Sequence, residues 1–497
     1  MKLIKKIAAI MFAFMMVVSM SCNVKADDAT TPTTGEGKIT INNAIPKQTY
    51  KLYRLLDLES YSVNEDGQKE NGNYSYKPAS KWKTFLEGDG IKDVYFTFEN
   101  GYASWKKDAN VETFAKLAIE HANKEKQVIE ADYQQPAPTA TGGQTTSTVT
   151  FDNLPLGYYL VYSSVGSLCV LNTTNPNLTI AEKNGVPSVE KGVSNIQNGT
   201  YESTNNASIG DTVYFQTTIT AQPGAQNYVL HDKMTKGLTL KNDSIVVKKG
   251  ESPVATSDYT LKTSGFIDGC TFEIVFVQTF CDGLQKDEKI TVTYSATLNE
   301  NAVIGNDANT NTNKTLLSYG DSQKTTEVTT NTKTFKMDVF KYTENRNDKT
   351  KKDGLAGAVF TLKKEGETNT IHFVREKTDE TNGDVYRVAK TGNANITTNK
   401  SGKFTIKGLS AGTYKLEETK QPAGYNKLSG PVTVVIDNVG NVTVDGANAD
   451  PVKVLNKTGT VLPSTGGAGT TMIYLIGGAL VLGSGVVLVT KRRVKGK

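Results

Sequence analysis

The sequence predicts an all-β protein made of tandem β-sandwich domains, and three observations predict it. Tyrosines outnumber phenylalanines, 22 to 17, and Thr and Val recur in short runs that alternate apolar with polar residues. Such alternation turns one side of a strand toward a core and the other toward water. Gly and Asn punctuate these runs, as turns between strands require. Finally, when both ends are set aside, residues 27–465 remain, enough for about three domains. Outside the first segment the cysteines are Cys169, Cys270 and Cys281, too few and too scattered for a disulfide framework. A Cys270–Cys281 pair and two free thiols both remain open.

The ends are addresses. Residues 1–26 open with Lys2, Lys5 and Lys6, continue as an apolar run from Ile7 to about Met20, and close on Val24-Lys25-Ala26. A charged start, a short apolar run and a small residue at the cut make a secretory signal peptide, cleaved after Ala26. The run is too short for a membrane anchor. At the other end Leu462-Pro463-Ser464-Thr465-Gly466 precedes a Gly-rich spacer, an uncharged stretch over 471–490 and a basic tail over 491–497. About 20 uncharged residues cross a bilayer as a helix, with the basic tail held inside. The three parts together resemble the sorting signal of sortase substrates. That resemblance implies cleavage between Thr465 and Gly466 and passage of the Thr465 carbonyl, through an enzyme thioester, to an acceptor amine. The membrane helix is then temporary.

Charge follows from the same division. The whole chain has 56 basic and 51 acidic residues. The signal peptide removes four basic residues and the tail five, leaving 47 against 51. The mature protein is mildly acidic, so its excess of basic residues belongs to discarded segments and argues for no nucleic-acid partner. Basic stripes with interleaved aromatics are absent from the sequence as well.

Between the ends the elements fall in order. Residues 27–37 form a flexible leader. A first β-sandwich over 38–186 begins with Lys38-Ile39-Thr40-Ile41 and carries Gly157-Tyr158-Tyr159-Leu160-Val161-Tyr162 as a late strand. Phe114, Leu117 and Ala118 have helical spacing, which predicts a helical insertion from Val111 to about Ile129. A second domain over 187–334 predicts strands at Thr212–Phe215, at Tyr228–Leu230 with a break at His231-Asp232, and at Phe272–Val277, Ile290–Ala296 and Leu316–Tyr319. A third, over 335–457, opens with Val339-Phe340-Lys341 and closes with Val452-Lys453-Val454-Leu455-Asn456. The sorting signal occupies 458–497.

Two of these domains carry family resemblances. VEKGV from Val189, ASIGDTVYF from Ala207 and HDKMTKGLTL from His231 are similar to the isopeptide-forming fimbrial domain, an immunoglobulin-like fold. Leu355-Ala356-Gly357-Ala358-Val359-Phe360 and Gly412-Thr413-Tyr414-Lys415-Leu416-Glu417-Glu418-Thr419 resemble a Cna B-like, prealbumin-like sandwich. The first domain is read as Cna B-like too, since Tyr158-x-Leu160 resembles the same strand. Tyr162 takes its acid position, so no cross-link is expected there unless a carboxylate arrives from another strand.

Chemistry follows in the third domain. Lys341 and Asn456 sit in apolar first and last strands, which meet if parallel at a sandwich edge. Alternation places Tyr414, Leu416 and Glu418 on one strand face, and an acid there costs several kcal/mol unless paired or neutral. Burial disfavours both charged forms. A neutral amine can attack the Asn carboxamide, Glu418 moving the protons, and ammonia leaves behind an amide. In the second domain the resemblance implies Lys191 as amine, Asp232 as proton shuttle and Asn313 as acceptor, with Asn311 as a rival because strand register decides between them.

The whole resembles a sortase-assembled Gram-positive backbone pilin. Such pilins carry a lysine, usually in a YPKN-type motif, at the end of the first domain. Here Ala181-Glu182-Lys183-Asn184 stands at that place, its Tyr-Pro replaced, and the resemblance makes Lys183 the acceptor for Thr465 of a neighbouring subunit. Implied partners are a class C-type pilin sortase, a housekeeping sortase, identical subunits, minor tip and basal pilins, and peptidoglycan; the location is a fimbrium on the cell wall. The alternative is a monomeric wall-anchored adhesin that binds host surface molecules. No cofactor, metal or enzymatic turnover is expected: His121, His231 and His372 lack metal-ligand spacing in sequence, and no nucleophile or phosphate motif appears.

Overall fold

The computed structural model describes residues 37–63, 69–123, 128–140, 145–172, 177–266, 268–305, 311–320, 322–459 and 468–494. The signal peptide with Ala26, most of the leader, and Leu462, Pro463, Ser464, Thr465 and Gly466 lie outside them. Among the described residues the chain is all-β with few helices, as predicted, and it divides into two units.

The first unit contains two sandwiches. In the earlier one, Gly37–Ala44 lies between Ser147–Leu154, antiparallel, and Asn177–Ala181, parallel. Its companion sheet runs Lys69–Pro78, Thr49–Val63, Gly157–Ser163 and Gly166–Asn172, with Tyr133–Pro136 beside Thr49–Val63. This second sheet buries both faces. Tyr50, Leu52, Tyr159 and Val161 join Ile39, Ile41 and Phe151 in the core between the sheets. Tyr53, Leu55, Leu160 and Tyr162 join Trp82, Phe96 and Phe114 in a second core under the inserted helix.

That helix spans Val111–Ala122, and the Asn110 side chain caps it by accepting from the Thr113 N–H, as an Asn N-cap should. It stops well before Ile129. The apolar spacing lapses after Ala122, and the Ile129 N–H turns back onto the Ala122 carbonyl at 2.9 Å.

The later sandwich faces two sheets. One holds Ser188–Ser194, Thr212–Thr220, Lys289–Leu298, Val246–Lys249 and Ser252–Pro253, with Leu238–Leu240. The other holds Thr204–Asn206, Val328–Lys333, Asn311–Tyr319, Val229–Met234, Phe272–Phe276 and Tyr259–Lys262, with Gln323–Lys324. The predicted break at His231-Asp232 does not occur. Val229–Met234 pairs on both sides, with Phe272–Phe276 and with Asn311–Tyr319, so two ladders hold the polar pair in the strand. Likewise Asn311–Tyr319 begins five residues before the predicted Leu316, which puts Asn311 and Asn313 inside a strand.

The second unit has one more sandwich. Phe335–Glu344 pairs antiparallel with Lys403–Leu409 and parallel with Val452–Leu455, in a sheet that also includes Lys352–Gly354, Asp384–Ala389 and His372–Lys377. The other sheet is built around Val359–Lys364, Gly412–Lys420 and Val432–Ile436. After it, Ala468–Val494 forms a 27-residue helix whose stretch Met472–Lys491 is long and apolar enough to cross a membrane.

Candidate functional site

In the second unit, Phe335, Met337 and Val339 alternate inward along the first strand, and Lys341 occupies the next inward position. Its side chain is wholly buried. The parallel neighbour puts Val454 opposite Lys341, and just past that strand Asn456 keeps the ladder, its N–H donating to the Tyr342 carbonyl at 3.0 Å. From the facing sheet Tyr414, Leu416 and Glu418 point into the same core. Lys341 Nζ lies 3.0 Å from Glu418 Oε1 and donates to Asn456 Oδ1. Asn456 Nδ2 donates to Glu418 Oε1 at 2.9 Å, while Glu418 Oε2 accepts from the Leu428 N–H at 2.9 Å. One oxygen of Glu418 thus touches both the amine and the amide nitrogen. That is the position from which a carboxyl takes a proton from an attacking amine and hands it to departing ammonia. Burial pulls the Lys341 ammonium below the usual lysine range, Glu418 opposing, which favours the neutral nucleophile.

A comparable cluster lies in the later sandwich of the first unit, with a different plan. Lys191 lies between Val189 and Val193 on the inward face of one sheet; Asp232 and Asn313 come from the other. Lys191 Nζ is 2.6 Å from Asp232 Oδ2, both side chains fully buried, and it donates to Tyr294. The Tyr294 hydroxyl donates to Asp232 Oδ2 and accepts from Asn313 Nδ2 at 3.2 Å. Tyr294 therefore links the acid to the amide, a part that sequence reading missed. The signal was there: Ile290, Val292, Tyr294, Ala296 and Leu298 form one buried face, and a phenol in such a row needs a polar partner.

Burial lowers Lys191 and raises Asp232, each partner opposing the shift of the other. Burial and then Asp232 hold Tyr294 well above its ordinary range, so its proton stays. Two acceptors, Asp232 Oδ1 and Asn313 Oδ1, are buried without a donor. An unmet buried acceptor costs about 1–3 kcal/mol.

The two clusters differ in what their lysine would join. Lys341 and Asn456 belong to neighbouring strands of one sheet and the acid to the other, whereas Lys191 and Asn313 lie on opposite sheets. Asn311 is engaged elsewhere. Its Nδ2 donates to Val303 O and Thr332 O, and its Oδ1 accepts from the Val303 N–H, at 2.8–3.1 Å.

In the first sandwich Tyr158, Leu160 and Tyr162 face the core under the helix, away from the core between the sheets. The matching acid position therefore opens on a different environment. The buried carboxylate of this domain lies elsewhere, just past the strand Asn177–Ala181 and against Tyr50 of the core between the sheets. Glu182 is buried, accepting from the Tyr50 hydroxyl at 2.9 Å and from the Asn184 N–H at 2.8 Å, and burial raises it above the usual glutamate range. Lys183, next to it, is exposed. The Cys270–Cys281 pair that the sequence left open is not made. Both are free thiols, Cys281 buried in the short helix Gln278–Asp282 and Cys270 against His231.

Comparison with known proteins adds family and fold. Residues 209–323 match the model of the Gram-positive pilin backbone subunit 2, Cna-B-like domain. Residues 340–450 match the SpaA prealbumin-like fold domain, and 455–496 match the LPXTG cell wall anchor motif. No curated protein sequence matches the chain. Among solved structures, the T6 backbone pilin of serotype M6 Streptococcus pyogenes is 17% identical over 83% of this chain and 81% of its own, with a TM-score of 0.51, a likeness of fold. The major pilins SpaD of Corynebacterium diphtheriae (17% identity, 88% of this chain and 100% of that one) and RrgB of Streptococcus pneumoniae (13%, 92% and 98%) have TM-scores of 0.44 and 0.41.

Proposed function

We propose that this chain, a cell-wall-anchored Gram-positive pilus protein by its backbone-domain and anchor matches, is the shaft subunit of that pilus. It is polymerised by sortase and stiffened by two internal Lys–Asn isopeptide bonds. The observation that carries this reading is the pair of buried Lys/acid/Asn clusters, Lys341–Glu418–Asn456 and Lys191–Asp232–Asn313.

In each, the neutral lysine amine attacks the carboxamide carbon of the asparagine. The C–N bond to the amide nitrogen breaks, and a proton from the amine passes through the carboxyl to leave with that nitrogen as ammonia. The carboxyl ends as it began. In the Asp232 cluster, Tyr294 carries the relay between acid and amide.

Polymerisation uses the ends. Thr465, released from Gly466, is joined to Lys183 of the next subunit, and such a head-to-tail link builds an open filament. Local geometry supports Lys183 as the acceptor. The strand Asn177–Ala181 is paired parallel to Gly37–Ala44, and buried Glu182 pins the chain just after it, so the exposed Lys183 leaves a fixed point. The departure from a Tyr-Pro motif thereby acquires a physical substitute. A class C-type sortase for polymerisation, a housekeeping sortase for transfer to peptidoglycan, and tip and basal subunits complete the proposal.

Intact-mass measurement of the chain released from the wall tests it. The expected mass is two ammonias below that of the processed sequence, with Lys191–Asn313 and Lys341–Asn456 peptides joined after digestion. An undiminished mass, with those lysines free, would overturn the bonds.

A further inference from the structure

On the strand that holds Asp232 inward, His231 points outward, and three further ligand-type side chains converge on it. Glu273 is its cross-strand partner in the ladder. Asp268 and Cys270 come from the loop leading into Phe272–Phe276. One ligand atom from each of the four residues lies within 4.8 Å of the others. His231 Nδ1 is 3.1 Å from Glu273 Oε1, 3.2 Å from Asp268 Oδ2 and 3.7 Å from Cys270 Sγ. We propose that His231, Asp268, Cys270 and Glu273 form a binding site for a divalent transition-metal cation of the zinc type.

The distances suit such an ion. Tetrahedral zinc, with Zn–N and Zn–O near 2.0–2.1 Å and Zn–S near 2.3 Å, has edges of about 3.3 Å between N and O ligands and about 3.6 Å between N and S. The three separations measured from Nδ1 fall close to these values. One nitrogen, one sulfur and two carboxylate oxygens favour zinc over calcium or magnesium, which take oxygen alone.

Supporting contacts orient the ligands. His231 Nε2 meets Ser318 Oγ at 2.9 Å; when Nε2–H donates there, the Nδ1 lone pair faces the cluster, as in metal-bound histidines. The Cys270 N–H donates to Asp268 Oδ1 at 3.2 Å, leaving Oδ2 inward. The neighbouring cations reach other atoms: Lys262 lies 3.9 Å from Glu273 Oε2, and Lys233 donates to the Asp268 carbonyl at 2.9 Å. His231 and Glu273 are largely buried while Asp268 is 41% exposed, which keeps a way in.

The site gathers two carboxylates, an imidazole and a thiol within reach of one another. Burial and the two carboxylates push the Cys270 thiol up to about 12. Metal binding replaces the thiol proton, which passes to solvent. Since the sequence separates His231 from the other three by more than 35 positions, only the strand pairing reveals the set. A bound ion would tie the outer face of the Asp232 strand to the loop before its neighbour.

The test is zinc titration of the full chain in detergent, stripped with chelator and kept reduced, followed calorimetrically and repeated with cobalt. The expected result is one equivalent bound more tightly than about 1 µM, release of one proton, and a sulfur-to-cobalt charge-transfer band. Cys270→Ser should abolish the band, and Cys270→Ser and His231→Ala should each weaken binding by about 100-fold or more. Both variants should melt like the wild type in chelator. No saturable binding, or binding and band unchanged in Cys270→Ser, overturns the proposal. A cluster held together by hydrogen bonds and ion pairs alone would give no saturable binding.

Discussion

Lys341 stands where a fourth apolar residue would complete the row Phe335, Met337, Val339. A buried charge there costs several kcal/mol unless paired or neutralised, so the row itself announces chemistry. Glu418→Gln should leave the fold standing and its bond unmade, because a carboxamide cannot take the amine proton. Intact mass should fall short of the variant's own processed sequence by one ammonia in place of two, and stability should fall by about 4–5 kcal/mol, the loop-closure value for a 115-residue ring. Tyr294→Phe removes the relay to Asn313 and should slow bond formation at Lys191 by about 10²-fold or more, read as the fraction of newly folded chains still holding that ammonia. Glu182 allows a test by pH. Its folded pKa is raised, so its contribution to stability is full below the ordinary glutamate range and is lost as pH rises through the raised value. Unfolding of Glu182→Gln against wild type, followed across mildly acidic pH, should show the variant gaining relative stability as pH rises; a constant difference would deny that burial. Lys341 and Glu418 could be read from sequence because an ionisable residue interrupts an apolar period, whereas Lys191 came from the family resemblance of its domain. Tyr294 was hidden because tyrosine in such a row also fits an ordinary core.

Strand register separates what composition left open. Asn311 and Asn313 share one face of Asn311–Tyr319, and their two-residue spacing cannot say which one meets the lysine. Pairing of Asn313 with Met234 and Thr330 sets it beside the Lys191 cluster, while Asn311 faces the Val303 loop. Asn313→Ala should abolish the bond in this sandwich. Asn311→Ala should keep it, with one ammonia still lost, yet cost about 1–3 kcal/mol through backbone groups left unsatisfied at Val303 and Thr332; the reverse mass pattern would move the acceptor to Asn311. Element boundaries were the weak part of the sequence reading, for identifiable reasons. Polar His231-Asp232 looked like a strand end, although two flanking ladders carry the strand through it. The helix predicted to Ile129 ends at Ala122 because its apolar stripe ends there. The strand alternation that named the sandwiches survived intact, since period-two burial is a local property, whereas the His231–Cys270 approach depends on pairing between distant segments.

At the scale of the whole molecule, the two proposed bonds would divide labour. One would fasten neighbouring first and last strands of a single sheet, and the other would bridge facing sheets. Tension entering near Phe335 and leaving near Lys457 would pass through Lys341–Asn456 and bypass the ring between them. Single-molecule stretching should therefore show a release of roughly 400 Å, from 115 residues at about 3.5 Å each, in Glu418→Gln and none in wild type. An equal release in both would deny the bond its mechanical role. Head-to-tail joining through exposed Lys183, as proposed, would give a filament whose subunits are covalently linked. The most direct test of that claim is an SDS gel of boiled wall extracts from cells expressing wild type or Lys183→Ala. The expected result is a high-mass ladder in wild type that collapses to monomer in the variant. A single monomer band in both would contradict the shaft and leave a wall-anchored monomer.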